Sequence, residues 1–234
     1  MAPTPADEAL PAGDGAAPVA TAPTPARAPA GAPADAAAPD PVVLDAAADP
    51  VVTAVRQALA DVGAQADVVV LDHPPGSAAD LAREVPGSAA DLAREVGAPA
   101  GAVARCALLL ADPADPPRAR TRAVLVVLVA ARPLRTDEVV RLVASRGLPG
   151  LRPATAAEVV RLCGCPPEDL PPVGLPLPGA DAGRAALEVV DVLVDAALAA
   201  HPRLWAPAGR PGTALQVSSE ELLRITAGRP VELA

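Results

Sequence analysis

Lysine, phenylalanine and tyrosine are all missing from these 234 residues, and Trp205 is the sole aromatic side chain. Without aromatic platforms for base stacking, binding of single-stranded nucleic acid of that type is excluded. Any core must then be built from Leu, Val and Ala. All nineteen basic residues are Arg, which reads as a compositional bias that replaces Lys wherever a position tolerates the change. Cysteine is scarce: Cys106, Cys163 and Cys165 make an odd number and no extracellular disulfide framework, which suits a reducing cytoplasm. Long apolar runs are absent too. The longest, 123–131, has nine residues between Arg122 and Arg132, and residues 1–10 show neither a basic nor an apolar signal region. Neither secretion nor membrane insertion is expected. The chain also lacks a P-loop, a nucleophilic Ser elbow and a G-x-G-x-x-G stretch.

What the sequence does have is uneven. Thirty of the first fifty residues are Ala or Pro, and that segment holds seven acids against Arg27. Such a stretch cannot bury enough apolar surface to offset its ordering entropy, so residues 1–49 are expected to be a disordered Ala/Pro-rich tail. The remainder, 50–234, is long enough for one domain with its own core. Its net charge is only −3 of the chain's −9, which disfavours electrostatic binding of long nucleic acids but leaves room for a local basic pocket.

Asp49 followed by Pro50 predicts a capped helix with Val51, Val52, Val55, Leu59 and Val62 on one stripe, ending near Gly63. A strand is expected at 67–71. The eleven residues 75–85 recur identically as 86–96; each copy opens with a Ser followed three residues later by Asp (Ser77 and Asp80, Ser88 and Asp91), predicting two short helices separated by Pro86-Gly87. Residues 103–111 and 123–130 read as buried strands paired as a hairpin. Thr136 is expected to cap a helix to about Arg146, and Thr155 with Glu158 another to about Cys163. A strand follows at 188–194, ending in Asp195, then a short helical piece at 196–200. Residues 208–212 form a turn and 213–217 a strand; Ser218 or Ser219 caps a last helix through Thr226, and 231–233 forms an edge strand. Strands and helices mix without regular βαβ alternation, which makes the fold α+β.

Between the amphipathic helix ending near Cys163 and the hydrophobic strand at 188–194 lies 163–179, a stretch with six prolines and three glycines. It reads as a stiff surface connection that can also present backbone groups to a ligand. Cys163-Gly-Cys165 lacks the second pair of a metal site, so its thiols are taken as ordinary loop or buried cysteines, and no metal or cofactor is expected. His73 and His201 read as polar turn residues. Arg105, flanked by apolar residues in a predicted strand, either pairs with a carboxylate such as Asp195, lines a cleft for an anionic ligand, or reaches to water at an edge. Asp195, just past a run of Val and Leu, caps the following helix or faces a pocket.

Several segments in order resemble the YbaK/EbsC family, free-standing relatives of the editing domain inserted in bacterial prolyl-tRNA synthetase. They are Asp72-His-Pro-Pro75, Gly101-Ala-Val-Ala-Arg105 through Leu110, the Gly164–Leu175 loop with Pro171-Pro-Val-Gly174, Leu193-Val-Asp195, Leu204-Trp205 through Gly209, and Ser219 through Thr226. The resemblance implies a mixed, barrel-like β-sheet with surrounding helices. It also implies a trans-editing hydrolase that deacylates mischarged aminoacyl-tRNA, Ala or Cys on the proline acceptor, with an ordered water. Its partners would be the acceptor end of the transfer RNA and a tRNA synthetase. By resemblance, Arg105 (Lys in relatives) and Asp195 are the catalytic positions, and Glu168, Asp169, Pro172, Val173, Gly174 and Gly209 shape the substrate-binding wall. Glu168-Asp169 stand where relatives have Gly-Gly, a change that hinders close backbone approach and repels phosphate. The alternative is therefore a catalytically degenerate member that binds a ligand, a transfer RNA end or a protein.

Overall fold

The computed structural model describes residues 48–71, 92–93, 96–111, 120–148, 150–181 and 186–233. The expected disordered tail up to residue 47, His73, and all of the duplicated segment except Leu92, Ala93 and Val96 lie outside the described residues.

Helix α1 (Pro50–Asp61) begins as its cap residue dictates: the Asp49 carboxylate accepts from the Val51 N–H at 2.7 Å and the Val52 N–H at 3.2 Å. Val51, Val52, Val55 and Leu59 are buried on one face, whereas Val62, the last residue of the expected stripe, is exposed.

Strands β2 (Ala104–Leu110) and β3 (Arg120–Val129) form the expected antiparallel hairpin, in register from Ala104 opposite Val129 to Leu110 opposite Ala123. The short strand β4 (Arg152–Pro153) pairs on the outer side of β2. On the other side of β3, β5 (Ala186–Asp195) runs parallel to it, and β8 (Arg229–Val231) runs parallel to β5 as the edge. A second, antiparallel sheet has the order β1 (Asp67–Val70), β7 (Thr213–Val217), β6 (Leu204–Pro207). An isolated parallel bridge between Val103 and Trp205 links the two. The mixed α+β fold is the one expected from the sequence, with the barrel-like sheet built as five strands plus three.

The apolar run on β3 is continuous because the strand is covered on both faces. Leu125, Val127 and Val129 enter a large core with α1, the 163–179 loop and the inner faces of both sheets, while Val124, Val126 and Leu128 enter a second core with Val139, Val143 and Leu233. A smaller cluster holds Leu92, Val103 and Ala214, with Trp205 packed against it. Leu92 belongs to the second copy of the duplicated segment.

Helix α3 (Ala156–Cys163) carries the capping box read from Thr155 and Glu158. Helix α4 (Ser219–Thr226) is capped by Ser218, whose hydroxyl accepts from the Glu221 N–H at 3.1 Å. Two expectations need correction. Helix α2 (Thr136–Leu142) starts at Thr136 rather than being capped by it: Arg135 is the cap residue, without a side-chain cap bond, and a separate 3₁₀ turn (Ala144–Arg146) follows. The 163–179 loop is also not a surface connection, since residues 169–173 are all buried. Leu170, Val173 and Leu177 are its apolar anchors in the large core, and they outweigh the solvent exposure that its prolines and glycines imply.

Candidate functional site

The start of β2, the 3₁₀ turn Pro167–Asp169 and the facing ends of β6 and β7 line a small cleft that opens to solvent. Leu71, Leu92, Val103 and Pro207 give it an apolar side. Its polar side carries Arg105, Glu168, Asp169 and Thr213.

Arg105 is half-buried, and desolvation lowers its guanidinium pKa from the ordinary value. One nitrogen, Nη2, donates to the Arg132 carbonyl oxygen at 2.9 Å. Of the readings open from the sequence, the structure places Arg105 on a cleft.

Asp169 is only 8 % exposed, and its Oδ2 has no hydrogen-bond partner among the described residues. Its backbone is pinned instead. The Asp169 N–H donates to the Pro166 carbonyl at 3.1 Å, and the Asp169 carbonyl accepts from the Gly209 N–H at 2.9 Å. Burial pushes the carboxyl up to about 7, the neighbouring Glu168 charge adds to the rise, and Arg210 opposes it. Arg210 is itself held by Asp49 at 3.1 Å.

The other residues expected at the site lie around the cleft rather than in its wall. Asp195 is 1 % exposed and its carboxylate is occupied. It accepts from the Ala197 N–H at 3.0 Å, capping the 3₁₀ turn Ala196–Ala200, and from the Val129 N–H at 3.5 Å. Arg132, not Arg105, is its ion-pair partner, with Nη1 3.3 Å from both carboxylate oxygens; that nitrogen also donates to the Leu233 carbonyl at 2.8 Å. Asp195 thus reaches Arg105 only through Arg132, whose side chain it holds and whose backbone carbonyl receives Arg105.

Val173 and Pro172 are buried in the loop, and a Cβ on Gly174 would lie 3.3 Å from the Ala58 methyl of α1. Gly209 adopts φ +93°, and a Cβ there would lie 2.7 Å from Val51 Cγ1. Of the four, Gly209 is bonded to the turn carrying Glu168 and Asp169, through its N–H and the Asp169 carbonyl. Thr213, which the sequence does not single out, donates its hydroxyl to the Arg210 carbonyl at 2.7 Å. No motif marks it.

Cys106, Cys163 and Cys165 are buried in the large core. Burial pushes the Cys163 and Cys165 thiols up to about 12, and Cys106 higher still, which keeps them in the unreactive thiol form at neutral pH. Among the described residues no group of His, Cys, Asp and Glu has the arrangement of a metal site, and no helix is long and apolar enough to cross a membrane. His201 ends the 3₁₀ turn that Asp195 caps, with its ring against Gly101.

The chain belongs to the aminoacyl-tRNA editing domain family, whose sequence model matches residues 85–225. Among solved structures it is similar to a candidate trans-editing enzyme for prolyl-tRNA synthetase, at 25 % identity and TM-score 0.58, covering 79 % of this chain and 97 % of that one. A hypothetical protein (21 % identity, TM-score 0.56, 76 % and 97 % covered) and a scaffold used for epitope grafting (24 %, 0.58, 79 % and 97 %) share the fold. A comparison with curated proteins gives no match.

Proposed function

We propose that residues 50–234 form an aminoacyl-tRNA deacylase acting in trans, which hydrolyses the ester between a wrongly attached amino acid, Ala or Cys, and the proline transfer RNA in the cytoplasm. The observation that carries this reading is a half-buried Arg105 lining the cleft of a chain in the editing family. In a partly desolvated cleft a fixed guanidinium interacts more strongly with an acceptor-end phosphate, or with the oxyanion forming at the ester carbonyl, than it would in water. Arg105 is the residue that touches substrate. Asp195 is a positioning residue that holds Arg132, and through the Arg132 carbonyl it fixes the guanidinium of Arg105. Glu168 and Asp169 form the wall facing the aminoacyl group, supported from behind by Pro172, Val173, Gly174 and Gly209.

Release of amino acid from Ala-, Cys- and Ser-charged transfer RNAs tests the reading. Turnover on Ala- or Cys-tRNA(Pro) is expected, and no release from any of the three at high enzyme concentration overturns it. Co-purification with the cognate synthetase is a separate expectation, because trans-editing requires capture of the charged product.

The two carboxylates at the cleft favour a second reading, a binding module without catalysis. On that reading the triple variant Arg105→Lys, Glu168→Gly, Asp169→Gly acquires a deacylation that the parent lacks. A parent that already turns over removes it.

A further inference from the structure

A carboxylate rarely stays buried without partners, because desolvation of its charge costs several kcal/mol unless hydrogen bonds or a counter-ion compensate. Asp169 is such a case: 8 % exposed, on the wall of the cleft, with Oδ2 unpartnered among the described residues. Nothing about the turn requires an acid there. The backbone bonds to Pro166 and Gly209 hold the turn regardless of the side chain, and the prolines on either side stiffen it. The side chain therefore adds a poised acceptor to a cleft that already contains a cation.

We propose that Asp169 is the proton acceptor of the hydrolysis. The proposal rests on the deacylase reading above. A water oxygen forms a bond to the ester carbonyl carbon while one of its protons passes to Asp169 Oδ2, and the carbonyl electron pair moves onto oxygen, where Arg105 offsets its charge. Collapse of the tetrahedral species breaks the bond to the ribose oxygen, which leaves with the proton returned by Asp169. The products are a free amino acid and a transfer RNA with its terminal hydroxyl restored, and Asp169 is again a carboxylate.

The surroundings tune the group for this task. The titratable and charged groups about Asp169 are Glu168 on its own turn, Cys165 just before it, Arg210 from the β6–β7 turn and Arg105 across the cleft on β2. Burial and Glu168 raise the carboxyl to about 7, with Arg210 opposing, which places a base where neutral pH uses it best. Cys165, its own thiol pushed up to about 12, adds no charge in that range.

The test is the pH dependence of kcat/KM for Ala-tRNA(Pro) between pH 5 and 9 with the full-length chain and two variants. In the parent the rate should rise with a midpoint near 7. Asp169→Asn should lose about 10²–10⁴-fold, the usual contribution of general acid–base catalysis, and the limb near 7 should vanish with it. Glu168→Gln should move the midpoint to lower pH, because a like charge is removed.

The substrate's own α-amine titrates at about 7.7–8.0, so a limb that survives unchanged in Asp169→Asn belongs to the amine and overturns the proposal. Activity within threefold of the parent in that variant overturns it as well, while leaving the deacylase reading intact. An active parent whose rate shows no ionisation near 7 does the same without any variant. A parent that releases no amino acid overturns both.

Discussion

At the scale of single residues, Asp169 also affects folding. Its carboxyl is raised to about 7 from the ordinary 3.8, so the folded state keeps the proton to higher pH than the unfolded chain does. The stability gained is fully present below about pH 4 and is lost as pH rises through 7. Asp169→Asn should remove that dependence. The variant is expected to match the parent near pH 4 and to exceed it at pH 8 by roughly 2–4 kcal/mol, as measured by denaturant unfolding at the two pH values; equal stability at pH 8 would contradict the burial of the charge. Arg105→Ala should lower kcat/KM by about 10²-fold, with Arg105→Lys recovering part of the loss, since Lys restores the charge but not the fork that reaches the Arg132 carbonyl.

How much was legible at this scale follows the range of each contact. A cation inside an apolar strand announced Arg105. The exchange of Arg105 for Arg132 as partner of Asp195 was not legible, because it depends on a contact across 63 residues set by strand pairing. The cap at Asp195 was one of two readings and is now observed, because it needs only the next two residues.

Among elements, the capped helices were legible because caps are local, and α1, α3 and α4 start as their Asp, Thr and Ser residues require. At α3, Glu158 closes the box and is held by Arg152 at 2.6 Å, a hydrogen bond that with the Thr155 N–H draws its carboxyl down to about 2. Thr155→Ala should cost about 1 kcal/mol in thermal or denaturant unfolding. The Pro-rich loop was misread because proline and glycine report backbone stiffness, not depth. Depth came from Leu170, Val173 and Leu177, which only the tertiary packing reveals. Gly209 ties that loop to the β6–β7 turn. Gly209→Ala faces both a positive φ and the Val51 methyl group, so a loss on the order of 3 kcal/mol is expected, together with lower deacylation as the turn bearing Asp169 shifts. An Ala variant as stable as the parent would show that α1 and the turn can move apart.

Across the whole described domain, β3 is shared by two cores, one on each face, so neither core can be lost without exposing the other. The α+β class was readable from the irregular order of elements. The split into five strands and three was not, since it is fixed by β7 pairing with the distant β1 while β6 pairs on its other side. One expected outcome is cooperative thiol chemistry. Cys106, Cys163 and Cys165 come from a strand, a helix end and a loop, yet all lie in one core. A thiol reagent should label none of them quickly in the native protein and all three in a single phase that tracks global unfolding; an early-reacting Cys163 or Cys165 would show that the loop opens independently.

The lone Trp205 has a spectroscopic consequence. It packs against Leu92 and Val103, which line the cleft, and lies two residues before Pro207 on the same face of β6. With no tyrosine or phenylalanine anywhere in the chain, ultraviolet emission comes from this one indole. The protein therefore carries a built-in, label-free optical probe one layer behind the cleft lining: on the proposed function, adding an acceptor-stem analogue should change the intensity or wavelength of its emission.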